Sequence, residues 1–226
     1  MSFKEFLREL NGKRVEGELI KSMIYSLVTS LIVLGILYFK LGYGFFLNYG
    51  YFVFLAVLSY AIILPTVRQV RAYREMTCMA GMMVGMTTGM IAGFLPGFFI
   101  ASTNGMFIGS LFGMSLGIIL GIWNGKCCGV MGVMEGMMAG FMGGLMGAMT
   151  AFMLLNDNLK IAAIVVFLVS AIILFGLNYM IYKETKETKR QIIENQFWTI
   201  ALTFILTIIT IWFMSFGPKT GVFAGG

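Results

Sequence analysis

The residues able to do chemistry are concentrated between Met76 and Met153, and most of them carry sulfur. That segment holds 16 of the 20 methionines and 18 of the 29 glycines, together with all three cysteines. At about 100° per residue along a helix, Met131, Met134, Met138, Met142, Met146 and Met149 fall on one face, and Glu135, Cys127 and Cys128 fall on the same face. The opposite face is glycine, from Gly132 to Gly147, and only Met137 strays. A second row, Met76, Met79, Met82, Met83, Met86 and Met90, covers a similar arc one segment earlier in the chain. Thioethers are soft, uncharged ligands that favour Cu(I), and by extension Ag(I), over hard cations. Several weak sites in a row let an ion enter and leave. Cys127 and Cys128 stand at one end of the row, where thiolates suit exchange of a soft cation. Glu135 is a carboxylate inside an apolar run, a placement that is costly in a membrane and by default marks function.

The pairing of Met-xxx-Met (Met134–Met138) with Gly-xxx-Gly is similar to the motif pair of Ctr-type copper transporters. The resemblance covers only that tetrad and the glycine repeats. Those proteins carry three spans per subunit and this chain reads as seven, so it is not assigned to that family. A packing explanation stands beside the metal one. Met fills irregular gaps and forms helices better than β-branched residues do, which would help helices loaded with glycine. The expected function is therefore a membrane transporter or channel for a soft metal cation, Cu(I) or Ag(I), with no permanently bound cofactor. The alternative is a non-transporting membrane scaffold or an oligomeric subunit of a membrane complex.

Other chemistry is excluded by what the chain lacks. It has no histidine, which removes His-ligated zinc, bis-His haem and Ser-His-Asp catalysis. It has no phosphate loop and no paired carboxylates, so no enzyme is expected. Three cysteines in apolar surroundings are not a secreted disulfide framework. Asn104, Asn124 and Asn178 read as polar glue between helices, and Asn156–Asn158 as an exposed turn.

These residues must be positioned by helices in a bilayer. Hydrophobic residues make up 59% of the 226-residue chain and charged residues 12%, and the mean hydropathy is +0.90. A soluble domain carries about 25% charged residues, so the expectation is an all-α, polytopic integral membrane protein. Segments near the roughly 20 residues needed to span are Ser22–Phe39, Tyr43–Pro65, Met76–Ala101, Gly105–Trp123, Cys128–Leu155, Ile161–Tyr182 and Phe197–Phe216. Seven spans are thus expected, with the N-terminus inside, because the basic residues between them alternate between many and few. Residues 1–21 read as an amphipathic helix at the interface, since Phe3, Phe6, Leu7 and Leu10 share one face. Residues 22–216 form the membrane domain, with 76–155 as its Gly/Met core, and 217–226 a short tail. The turn at Ser102–Asn104 bears no charge and reads as a tight corner, and Pro96 should kink span three.

Glycine recurs every fourth residue at Gly81–Gly97, again at Gly105–Gly129, and again at Gly132–Gly144. Such spacing sets small residues on one helix face and lets backbones approach closely. Spans three, four and five are therefore expected to pack as a glycine zipper, and a homo-oligomer through glycine faces is a further expectation. The other expected partners are the lipid bilayer and a soluble metal donor or acceptor. The net charge of +6 lies in short loops and implies topology, not nucleic-acid binding. The expected location is a prokaryotic cytoplasmic membrane, with Glu135 and its methionines facing the interior of the bundle or a wet cavity rather than lipid.

Overall fold

The computed structural model describes residues 15–41, 43–72, 77–185 and 196–217. The expected interfacial helix lies largely outside them, as do Met76, Arg74, Lys186–Arg190 and most of the C-terminal tail. The described residues contain no strand. They form α1 (Val15–Leu41), α2 (Tyr43–Ala72), α3 (Cys78–Asn104), α4 (Met106–Gly125), α5 (Gly129–Met153), α6 (Leu159–Thr185) and α7 (Gln196–Phe216). Short 3₁₀ turns at Lys126–Cys128 and Leu154–Asn156 link α4 to α5 and lead out of α5.

Among the described residues, five segments are long and apolar enough to cross a membrane: Gly50–Val70, Cys78–Asn104, Met106–Asn156, Leu159–Glu184 and Phe197–Ser215. The expectation of seven differs for two reasons. Among the described residues Lys21–Ile36 of α1 forms a shorter apolar helix. Met106–Asn156 counts as a single apolar stretch of 51 residues, within which the chain folds back at Lys126–Cys128, so that α4 and α5 pack side by side.

The centre of the fold is the packing of α3, α4 and α5, in which glycine meets glycine in four layers. A Cβ on Gly85 would lie 3.0 Å from Gly125 Cα and 3.2 Å from the Gly132 carbonyl. One on Gly89 would meet the Gly136 carbonyl at 2.7 Å and Gly121 Cα at 3.1 Å. Gly93 faces the carbonyls of Gly140 (2.8 Å) and Gly113 (3.1 Å), and Gly97 those of Gly144 (2.9 Å) and Gly109 (3.4 Å). The numbers rise along α3 and α5 and fall along α4, so the three helices run up, down, up. Backbone contact at this range is open only to residues without a side chain.

The turn between α3 and α4 is tighter than the expected Ser102–Asn104 corner. Those three residues are the buried last turn of α3. The reversal is made by Gly105 alone, with φ 100 and ψ 166, a conformation essentially reserved for glycine. Asn104 serves as expected for helix glue. Its Nδ2 donates to the Phe213 carbonyl of α7 (2.7 Å), while its Oδ1 accepts from the Thr103 hydroxyl (2.7 Å).

The other helices frame this unit. Tyr60 of α2 and Thr210 of α7 share a 2.6 Å hydrogen bond between buried hydroxyls, and Ser26 of α1 lies 3.5 Å from Thr203 of α7. α2 does not stop at Pro65, where the expected span ends. It runs on to Ala72 and carries Arg68 and Gln69 into the protein, at 8% and 0% exposure. Proline is tolerated inside membrane helices where neighbours re-satisfy the backbone.

Contacts between helix ends sort into two groups. Thr77 Oγ1 donates to Glu184 Oε2 (2.5 Å), and Cys78 sits beside Cys128, so the starts of α3 and α5 and the end of α6 share one end of the molecule. Tyr51 donates to the Lys160 carbonyl (2.9 Å), and Asn104 reaches the last turn of α7, which defines the other end.

Candidate functional site

Both methionine rows survive as continuous faces, but the direction they point corrects the expectation. Met79, Met83, Met86 and Met90 of α3 are exposed, and so are Met131, Met134, Met138, Met142, Met146 and Met149 of α5. Met138 is 62% exposed and Glu135 is exposed beside it. The face expected to look into the bundle thus looks away from it. The reason lies in the glycines. Gly136 and Gly140 of α5 abut α4 at Gly121 and Gly117, while Gly143 and Gly147 abut α3 at the backbone of Met90 and Phe94. The methionines occupy the opposite side of the same helix, beyond the reach of either neighbour.

α3 and α5, which carry the two rows, touch directly along the Gly143–Met90 and Gly147–Phe94 seam. Phe141, Phe152 and Met153 extend the apolar surface of α5. Glu135 lies six residues into α5, with Met134 and Met138 as its neighbours along the helix.

At the end of the unit where both rows begin, the structure gathers all three cysteines. Cys78 opens α3, and Cys127 and Cys128 form the turn before α5. Cys78 and Cys128 are joined as a disulfide with Cα atoms 5.1 Å apart, within the usual range for a bridge. Cys128, expected as a metal ligand, is therefore paired in this structure with a residue absent from the expected site. Cys127 remains a thiol and donates to the Asn124 carbonyl (3.2 Å). Sequence reasoning missed Cys78 because 50 residues separate it from Cys128. The one signal available was the matched glycine tetrads, which require the start of α3 to lie beside the α4–α5 turn.

Two further features were not foreseen. Asn124, expected as glue between helices, is 1% exposed and neither its Nδ2 nor its Oδ1 has a hydrogen-bond partner, whereas buried side-chain amides are nearly always satisfied. Arg68 lines a small cleft with Trp123, Trp198, Thr199 and Leu202, where a charge expected in a loop is instead held among aromatic rings.

Compared with protein-family models, with curated proteins and with solved structures, the chain matches none. What the fold itself defines is an integral membrane protein whose described residues are helical and include five apolar membrane-length segments.

Proposed function

We propose that this protein passes a soft monovalent metal cation, Cu(I) or Ag(I), across its membrane along the thioether face of α3 and α5. In this reading all seven helices cross the bilayer, the N-terminus lies inside, and a second copy closes the face into a conduit. One observation carries the reading: Glu135 stands exposed within the methionine row of α5, between Met134 and Met138, on the side opposite the glycine contacts. A surface meant only for lipid gains nothing from a carboxylate, which is expensive in hydrocarbon. Between two copies the same carboxylate would offset the charge of a cation held by neutral sulfur where water is scarce. The glycine faces of α3, α4 and α5 are occupied within the chain, so a second copy would meet this unit through its methionine face.

The scaffold reading draws on the same exposure, since an apolar methionine surface is also compatible with lipid. The two readings separate on a triple substitution, Met134→Leu/Met138→Leu/Met142→Leu. Leucine nearly conserves volume and such swaps cost under about 1.5 kcal/mol each, but it removes the sulfur. In proteoliposomes the parent should carry Cu(I) or Ag(I) above empty vesicles, and the folded triple variant should lose that flux. Glu135→Gln should alter it. A parent with no flux of either ion in either direction leaves the scaffold.

A further inference from the structure

We propose that Cys78, Cys127 and Cys128 together form a binding site for one soft monovalent cation, at the end of the glycine unit where both methionine rows begin. As a place where ions are loaded or released, the site rests on the transport reading. As a binding site it stands by itself.

The geometry begins with Gly81. Its N–H donates to the Thr77 carbonyl (3.0 Å), so it sits one turn into α3, just past Cys78. The point where a Gly81 Cβ would stand lies 3.0 Å from Cys127 Sγ and 3.0 Å from Cys128 Cβ. Cys128 is itself bonded to Cys78. The missing side chain of Gly81 thus leaves the room in which the α4–α5 turn presses both its cysteines against the start of α3. Cys127 and the Cys78–Cys128 pair flank the same glycine, and vicinal cysteines alone could not supply that third ligand.

The surroundings suit a soft ion. Cys78 is exposed and Cys127 and Cys128 are half-buried, so an ion has a way in. Met79 of α3, 74% exposed, and Met131 of α5 come next along the two helices, which gives thioethers directly beyond the thiols. Lys126 is exposed at the start of the same turn and would offset the negative charge left when thiolates outnumber the charge of a single bound ion. Asn124, whose carbonyl accepts the Cys127 thiol, adds a buried amide without a partner one turn before the cysteines. The chain has no histidine, and the Glu184 carboxylate at this end is engaged by Thr77. Three sulfurs without a fourth ligand suit Cu(I) or Ag(I) better than tetrahedral Zn²⁺.

The bridged form holds only one of the three thiols. A phosphine supplies two electrons and takes up the oxygen of one water molecule to become the phosphine oxide. The Cys78–Cys128 bond breaks, and water provides the two protons of the new thiols. On binding, each sulfur that bonds the ion releases its proton to water.

Protection from alkylation in the full chain tests the site. The detergent-purified protein is reduced with a phosphine and freed of it. It is then given one equivalent of Ag(I) and treated with N-ethylmaleimide, and each cysteine is scored by peptide mass spectrometry. Without metal all three should be modified. With Ag(I) all three should be protected together, and Zn²⁺ at the same dose should leave them open. Modification of Cys78 while Cys127 and Cys128 are protected would overturn the three-sulfur site, and so would equal protection by Zn²⁺. Flux measured on the same preparation keeps the two proposals apart. Joint protection without flux removes transport and leaves the site, whereas flux with Cys78 open removes the site and leaves transport.

Discussion

At the scale of single residues, the smallest side chain is under the strongest constraint. A Cβ on Gly140 would collide with the α4 backbone at Gly117 and Ile118, and main chain cannot swing aside as the tip of a side chain can. Gly140→Leu should therefore cost ~1–3 kcal/mol or more in overpacking, read as a lower melting temperature in detergent. Met137→Leu on the same helix should be nearly neutral, because Met137 is exposed and lies off the glycine contacts. Equal effects from the two would show that the glycine face is not a contact surface. The glycines were legible in the sequence because a four-residue period has one simple meaning in a helix. The methionines were half legible. Spacing placed them opposite the glycines, but the weight given to Glu135 turned that face inward. The glycine contacts oppose this, since a face that brings two backbones together leaves its opposite side pointing away from both.

At the scale of elements, what could be read depended on whether the signal was local. Helix positions followed from apolar length, and the Asn156–Asn158 turn from its composition; its residues are exposed and the Asn158 carbonyl starts α6 by accepting from Ile161 and Ala162. The end of α2 was misread at Pro65 because proline breaks helices in water. In a membrane protein the neighbouring helices compensate, and the helix carries Arg68 inward. The Cys78–Cys128 pairing was not legible, since helix neighbours are set by tertiary packing and not by distance along the chain. The helix-end contacts form two groups. Thr77, Cys128 and Glu184 meet at one end, and Tyr51 and Lys160 at the other. If these ends lie on opposite sides of a bilayer, single cysteines at Asn158 and Thr188, in a background without the native three, should react with an impermeant reagent from opposite sides. Reaction from the same side would defeat the seven-span arrangement.

At the scale of the whole molecule, the question is what covers the methionine face. The outer surfaces of α6 and of the α3–α5 unit are both apolar, but they differ in chemistry. α6 exposes Ile164, Val165, Leu168, Val169 and Ile172, branched aliphatic residues suited to lipid. The α5 face exposes flexible thioethers and a carboxylate. If a second copy docks there, its own methionines meet these across a two-fold axis, because like faces pair in a closed dimer. A residue near such an axis lies close to its own counterpart. Cysteines introduced singly at Met134, Met138 and Met142, in a background lacking Cys78, Cys127 and Cys128, sample three successive turns or near-turns of that face. In oxidised membranes at least one of them should give a covalent dimer in high yield. Ile172→Cys on α6, 70% exposed, should remain monomeric under the same conditions and reports random collision. Dimers from Ile172→Cys matching those from the α5 positions, or none from any α5 position, would leave the methionine face to lipid. A conduit between copies would then have no second wall.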